Sequence, residues 1–159
     1  MNFKLEYLDE NYAKQICSWK YNDEYSVYNY PEWESISKQN WAITVEEKRK
    51  NEFVAVINKC FGLCGYIRFN NNYNYVLVGL GLKPDLCGQG LGYKLMDILK
   101  SESRRRYNNK TIILEVRSFN KRAINCYKKS GFKVLDIYKK DTLLGDDEFV
   151  KMEQMYLEY

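Results

Sequence analysis

A glycine-rich turn that leads directly into a helix is the feature that most constrains the fold of this chain. The apolar, strand-like run Tyr75–Leu82 precedes it, and Gly88, Gly90 and Gly92 follow after a short loop. From Leu91 onward the apolar residues recur at helical spacing. A glycine-rich backbone at a helix start presents unpaired N–H groups and lets an anion approach closely. The sequence therefore predicts a strand, an anion-binding turn and a helix in succession.

Two common nucleotide-binding motifs do not fit this turn. The dinucleotide fingerprint needs Gly-x-Gly-x-x-Gly, whereas single residues separate Gly88, Gly90 and Gly92. The phosphate-binding P-loop needs Gly-Lys-Ser/Thr, which the chain lacks. A pyrophosphate held by main-chain amides remains a suitable ligand. The alternative without a ligand is a helix packed tightly on a sheet.

Strand and helix patterns continue on both sides of the turn. Alternation and β-prone runs predict strands at Phe3–Tyr7, Phe53–Ile57, Leu63–Phe69, Tyr75–Leu82, Thr111–Val116, Phe132–Tyr138 and Phe149–Tyr156. Three helices are also predicted. The first follows an Asp9 N-cap and has Ala13, Ile16, Cys17 and Lys20 at helical spacing. The second begins after Gln89, and the third covers Lys121–Lys129 and ends at Gly131. We expect an antiparallel meander over 53–82, one or two short helices over 19–41, and a loop over 141–147.

Length and charge indicate one globular domain covering residues 1–159. A net charge of +4 is modest, and its one cluster, Arg104 to Arg106, is typical of a solvated helix end. The chain contains no histidine, which excludes Ser-His-Asp and Cys-His triads and a histidine base. Any proton transfer must use carboxylates, tyrosines, cysteines, lysines or water.

Cysteine usage and the N-terminal sequence predict a cytoplasmic protein. The five cysteines are odd in number and irregularly spaced, as in reducing compartments. Cys60 and Cys64 make a poor metal site without histidine or a second close pair, so we expect no metal. The alternating start Met1 to Glu6 contains no apolar run long enough for a signal peptide or membrane span.

Two motif blocks resemble the GCN5-related N-acetyltransferase (GNAT) family. Its acetyl-CoA motif, Arg/Gln-x-x-Gly-x-Gly/Ala, matches residues 87–92 except that Cys87 replaces arginine or glutamine, and the preceding Val-x-Pro is matched by 82–84. The second block runs over 114–120 and continues with Ala123, Ile124, Tyr127 and Gly131-Phe132. It is most similar to the ribosomal-protein alanine N-acetyltransferase branch. The resemblance is specific over 75–132 and topological elsewhere.

The resemblance implies an α/β (α+β) GNAT fold. Its sheet is mixed and mostly antiparallel, with about six to seven strands, helices on both faces, and a splayed parallel pair formed by 75–82 and 111–116. Acetyl-CoA would be the co-substrate, and a homodimer is common in the family. The implied cofactor-binding residues are Leu80, Gly81, Leu82, Cys87, Gly88, Gln89, Gly90, Leu91, Gly92, Tyr93, Asn120 and Tyr127.

The same resemblance implies the chemistry. A backbone N–H near Leu82 would hold the acetyl oxygen, Glu115 would act as base, and Tyr127 would protonate the leaving thiolate. A phenol of pKa about 10 suits that last role. Each has a plain alternative: Tyr127 as a core aromatic, Glu115 as a solvent-facing or lysine-paired strand residue, and Asn120 as N-cap of the last helix. A nucleophilic role for Cys87 is disfavoured because no base neighbours it in the motif.

The stretch from Trp19 to Trp41 would face the acceptor, since the N-terminal third builds that site in the family. It mixes tyrosine, tryptophan and acid, which suits a cationic amine, although the aromatics could equally form core. If Glu115 is not the base, Asp23, Glu24 or Glu32 come next.

The predicted function is acetyl transfer to a primary amine of a small molecule, protein or peptide by direct attack in a ternary complex. The main alternative is a non-catalytic module that only senses acetyl-CoA. A nucleic-acid-binding domain is a third hypothesis, and it rests only on the basic charge. We expect no membrane partner.

Overall fold

A computed structural model describes residues 1–154 and contains seven strands in one sheet. The strands are β1 Lys4–Glu6, β2 Phe53–Asn58, β3 Gly62–Asn71, β4 Tyr75–Leu82, β5 Thr111–Arg117, β6 Lys133–Thr142 and β7 Gly145–Gln154. The helices are α1 Glu10–Ser18, α2 Trp33–Lys38, α3 Glu46–Glu52, α4 Leu91–Arg106 and α5 Lys121–Lys129. Short 3₁₀ helices span Asp23–Tyr28, Ala42–Thr44 and Pro84–Leu86.

The strand order is β1-β2-β3-β4-β5-β7-β6. Strand β4 pairs with β5 in parallel, whereas β1 with β2, β2 with β3, β5 with β7 and β6 with β7 are antiparallel pairs. The predicted mixed, mostly antiparallel fold with one parallel pair is confirmed. Because parallel neighbours need a crossover connection, the chain passes through α4 between β4 and β5.

The chain divides into two compact units, and β3 and β4 contribute residues to both. The first contains residues 1–68 and 80–87, and the second contains residues 69–79 and those from Gly88 onward. In the first, an apolar core forms around Leu8, Ile16, Ile36, Ile43 and Phe53. Helix α1 begins as predicted, since the Asp9 carboxylate accepts the Tyr12 N–H at 2.8 Å. The helix ends at Ser18, so Lys20 lies beyond it.

The second unit is built on α4, β5, α5, β6 and β7. Helix α4 buries Leu91, Leu95 and Leu99, as the spacing predicts; Met96 is buried as well, whereas Ile98, expected on the same face, is half-buried. Helix α5 has the predicted bounds, and Gly131 follows it at φ +95°, a conformation that favours glycine.

The structure adds one helix and changes one expected loop. Helix α3 was not predicted, because its seven residues are all charged or polar and only Arg49 is buried, so no apolar period marks it. The expected loop 141–147 is instead a tight hairpin in which Thr142 pairs with Gly145. Strand β6, predicted over Phe132–Tyr138, covers Lys133–Thr142 and is exposed along nearly its whole length. The predicted end of the last strand at Tyr156 lies outside the described residues.

The end of β4 packs unusually closely on β3 within the first unit. A Cβ placed on Gly81 would lie 2.4 Å from Cε1 of Tyr66, and one on Gly65 would lie 2.7 Å from the Gly81 carbonyl oxygen. The Tyr66 ring cannot move aside easily, because it also packs against Trp19 and Phe53. Glycine is therefore required at both positions to let these backbones meet.

We expect Gly81→Ala to lower the free energy of unfolding by about 1 to 3 kcal/mol, because the added methyl group overpacks the Tyr66 ring. The matched control is Gly79→Ala, where a Cβ would meet nothing within 4 Å and should change stability little. Urea unfolding measures both. Equal stability of the two variants would contradict the packing described for Gly81.

Candidate functional site

The start of α4 is an exposed, glycine-lined helix terminus. Gly88 and Gly90 both have φ +77°, and Gly90 is the N-cap residue with no side-chain cap hydrogen bond. A Cβ at either glycine would meet nothing within 4 Å. The positive φ, and not a lack of space, therefore demands glycine here. A helix start of this kind favours an anion through its dipole, and the open, left-handed glycines leave the backbone accessible, as a pyrophosphate would require.

Helix α5 lies against the first turn of α4 in the second unit. A Cβ on Gly92 would be 3.3 Å from Sγ of Cys126, so the two helices approach closely at that glycine. The Lys129 ammonium lies 5.9 Å from the centroid of the Tyr93 ring. The residue after Cys126 is Tyr127, so the predicted acid belongs to the helix that contacts the predicted anion site.

The side chains of Asn120 and Tyr127 occupy one face of α5. Asn120 is the N-cap, and its Oδ1 accepts the Ala123 N–H at 3.1 Å, so the capping alternative is correct for that oxygen. Tyr127 is half-buried, with its ring 6.4 Å from that of Phe132. Positions 120, 123 and 127 are spaced to form one stripe. Capping by Asn120 thus fixes the helix that carries Tyr127.

Glu115 on β5 is ion-paired, which the sequence allowed as an alternative. Lys140 donates to Oε2 of Glu115 at 2.7 Å. Burial acts to raise the pKa of Glu115, but hydrogen bonds from Lys140 and Tyr138 outweigh it and lower that pKa below its usual value. Burial and the hydrogen bond to Glu115 raise the pKa of Tyr138. Glu115 is thus a carboxylate at neutral pH with a known set of partners on β6.

The parallel ladder between β4 and β5 is short. Its register runs from Tyr75 with Thr111 to Val78 with Leu114. Strand β4 then continues through Leu80 and Gly81 to Leu82. On its other side β5 pairs with β7 over Ile112–Arg117, so that ladder continues three residues beyond the one with β4.

Cys87 follows the end of β4 in the first unit. Its thiol donates to the carbonyl oxygens of Leu82 and Lys83, with sulfur–oxygen distances of 3.8 and 3.6 Å. Carbonyl oxygens carry partial negative charge and disfavour a thiolate. This environment argues against a nucleophilic Cys87 and favours a structural role.

The aromatic stretch Trp19 to Trp41 divides into two groups. Trp19 belongs to the first unit's core, and Tyr30, Trp33 and Trp41 pack against that core. The other group contains Tyr21, Tyr25 and Tyr28: the Tyr28 ring centroid lies 6.5 Å from that of each of the other two.

The segment that contains the second group includes a strained backbone position. Asp23, which begins the 3₁₀ helix, has φ +53°, unusual for a residue with a side chain. Both Asp23 and Glu24 are exposed. Of the mixed stretch, this loop is the part with carboxylates and tyrosines that could receive a cation.

Two contacts could not be found by sequence reasoning. One is the pairing of Glu115 with Lys140, which lies 25 residues away along the chain. The other is a hydrogen bond from the Tyr21 hydroxyl to the Leu82 carbonyl at 2.7 Å, across 61 residues. Neither has a local sequence signal. Across residues 1–154, no group of three histidine, cysteine or acidic side chains could hold a metal ion, and no helix is long and apolar enough to span a membrane.

Comparisons with solved structures give the fold. A chimera of the Vibrio cholerae spermidine N-acetyltransferase SpeG with hSSAT matches with TM-score 0.77 and 16% identity, covering 98% of this chain and 97% of that one. The Escherichia coli ribosomal-protein-S18-alanine N-acetyltransferase matches with TM-score 0.70 and 18% identity, covering 99% and 96%. The V. cholerae spermidine N-acetyltransferase in complex with CoA and spermine gives TM-score 0.73 and 16% identity, covering 97% and 95%. No curated protein sequence matches the chain significantly.

A comparison with family models goes beyond the fold. The model of the Acetyltransferase (GNAT) family matches residues 13–132, which is more than half of the chain. The match includes the glycine-rich start of α4 and all of α5. The chain therefore belongs to the GNAT family and is an acetyl-CoA-dependent N-acetyltransferase.

Proposed function

We propose that the chain binds the pyrophosphate of acetyl-CoA at the start of α4 and transfers the acetyl group to a primary amine. The observation that carries this proposal is the exposed start of α4 with two left-handed glycines, Gly88 and Gly90, at which a Cβ would meet nothing within 4 Å. Bound acetyl-CoA supplies an activated acyl group as a thioester. The residues that would hold it through this backbone are Cys87, Gly88, Gln89, Gly90, Leu91, Gly92 and Tyr93.

The end of β4 would stabilise the reacting carbonyl. Leu80, Gly81 and Leu82 present backbone groups there, and a Leu82 N–H would donate to the oxyanion that forms during attack. Such preorganised donors are worth most where they cannot shift. The close packing of Gly81 on Tyr66 supports this role, because it limits movement of the strand end.

Helix α5 would supply the proton for the leaving group. Tyr127 would donate its phenolic proton to the departing sulfur, and Asn120 would contact the coenzyme while its Oδ1 caps the helix. Glu115 would accept a proton from the amine, directly or through water. Its lowered pKa makes it a weak base, so the amine must lose most of its proton as attack proceeds.

The acceptor would be a cationic amine. Two of the structurally similar enzymes are named for spermidine and for an alanine N-terminus, both of which carry amines. In this chain, exposed Asp23 and Glu24 beside three tyrosine rings offer charge and cation–π contacts. We therefore favour an alkylamine with more than one positive charge.

Assembly and location stay predictions. The family resemblance implies a homodimer. The odd number and irregular spacing of the cysteines predict a reducing, cytoplasmic setting.

Isothermal titration with acetyl-CoA tests the coenzyme site. We expect micromolar binding by the natural protein and its loss in Gly90→Glu, which places a carboxylate at the proposed pyrophosphate position. Gly90→Ala is the matched control, since it carries the same left-handed strain, about 1 kcal/mol, without the charge. The Glu variant should bind at least tenfold more weakly than the Ala variant.

Two outcomes contradict the proposal. Equal affinity of the Gly90→Glu and Gly90→Ala variants for acetyl-CoA would show that the pyrophosphate does not bind at the start of α4. A protein that binds acetyl-CoA but releases no CoA with any of a panel of amines, including spermidine and an alanine-terminated peptide, would favour the alternative of a non-catalytic module that only senses acetyl-CoA.

Tyr127→Phe tests the acid. We expect kcat to fall about a hundredfold at saturating acetyl-CoA, the typical contribution of a general acid, with binding of acetyl-CoA retained. Tyr73→Phe is the control, because that side chain is 93% exposed in the turn between β3 and β4. An unchanged turnover in Tyr127→Phe would remove this residue from the mechanism.

The pH dependence of kcat/KM tests the base. The Lys140 ammonium lowers the pKa of Glu115, so Lys140→Met should raise that pKa and move the acidic limb of the profile to higher pH. Glu115→Gln should remove that limb and lower kcat/KM about tenfold or more at pH 7. Glu153→Gln, on neighbouring β7, is the control. A profile untouched by Glu115→Gln would direct the search to Asp23, Glu24 or Glu32.

A further inference from the structure

The peptide group that joins Leu82 to Lys83 is held on both sides. Its carbonyl oxygen accepts the Tyr21 hydroxyl at 2.7 Å, and its N–H donates to the Cys64 carbonyl at 2.7 Å. Both partners come from the first unit, one from the segment after α1 and one from β3. This peptide group therefore cannot rotate without breaking a short hydrogen bond.

The preceding residue is restricted as well. The ring of Tyr66 lies on Gly81, and the Tyr66 hydroxyl is hydrogen-bonded to that of Tyr30. The peptide that carries the Leu82 N–H, the group proposed to stabilise the oxyanion, thus lies between a glycine packed on the Tyr66 ring and a peptide group held on both sides. Tyr21 contributes to this arrangement through its side-chain hydroxyl, which donates to the carbonyl oxygen at the end of the strand.

Two hydrogen bonds from the Asn29 side chain hold the backbone of Tyr21 in place. The Tyr21 N–H donates to Oδ1 of Asn29 at 2.7 Å, and Nδ2 of Asn29 donates to the Tyr21 carbonyl at 3.4 Å. The ring of Tyr21 also contacts that of Tyr28 edge-on. The two hydrogen bonds between Tyr21 and Asn29 close residues 21–29 into a loop, which contains the exposed carboxylates Asp23 and Glu24. One hydroxyl therefore joins this loop to the end of β4.

We propose that Tyr21 is a positioning residue for acetyl transfer, acting through the Leu82 carbonyl to align the strand end with the loop 21–29 that receives the amine. This rests on the proposed function, since the strand end is the acyl site and the loop is the acceptor site only in that assignment. In this role the Tyr21 hydroxyl acts on the Leu82 carbonyl and not on a reactant. Its effect is on alignment, and small misalignments of reacting groups cost large factors in rate.

Tyr21→Phe removes the hydroxyl and keeps the ring. We expect kcat with spermidine as the probe amine to fall about tenfold, whereas the Kd for acetyl-CoA measured by titration stays within about twofold. Tyr73→Phe, the same change at a 93% exposed position, should leave kcat, KM and Kd unchanged. Thermal unfolding of both variants shows whether either has lost its fold. If spermidine is not acetylated, the amine from the panel that is acetylated replaces it.

The outcomes separate the two proposals. A natural protein that fails to bind acetyl-CoA or to acetylate any amine contradicts the proposed function itself. A natural protein that is active, with Tyr21→Phe unchanged in kcat, overturns the role of Tyr21. A parallel loss of kcat and of acetyl-CoA affinity also overturns it, because a general structural defect, and not alignment, would then be the cause.

Discussion

The parallel pairing of β4 with β5 is the constraint on which the site depends. Parallel neighbours cannot be joined by a hairpin, so the chain must leave the carboxyl end of β4 and return through a crossover. Helix α4 is that crossover, and its start follows the end of β4 after the short loop 83–90. The connection that this topology requires thus ends in the positive, N-terminal end of a helix dipole.

Glycines serve two different physical purposes in this arrangement. Gly65 and Gly81 are required because backbone and the Tyr66 ring leave no room for a Cβ. Gly88 and Gly90 have open space and are required because their φ angles lie in the left-handed region. The first pair lets the backbones of β3 and β4 meet closely, and the second gives the start of α4 its backbone turn. In the proposed function both would contribute preorganised donors, aligned before the reaction begins.

Side-chain hydrogen bonds give the site residues their chemical character. Glu115 between Lys140 and Tyr138 is held as a carboxylate with a lowered pKa, which suits a stabilising or weakly basic role. The side-chain oxygen of Asn120 accepts the Ala123 N–H and caps α5, which fixes where the helix that carries Tyr127 begins. Cys87, in the position usually taken by arginine or glutamine in the family, turns its thiol toward backbone carbonyls. The coenzyme would therefore depend on main-chain contacts in that motif.

The sequence by itself determined the elements with local signals: the Asp9 cap of α1, the apolar face of α4, the bounds of α5, and the glycine turn with its family. These depend on contacts within one helical turn or on short motifs, which a linear pattern records. Only the tertiary structure decided the partners of Glu115, the division of the aromatic stretch into core residues and the cluster around Tyr28, and the bond from Tyr21 to Leu82. The contacts of Glu115 and of Leu82 join residues 25 and 61 positions apart in the chain. Their formation depends on how β-strands and loops pack, which no local pattern specifies.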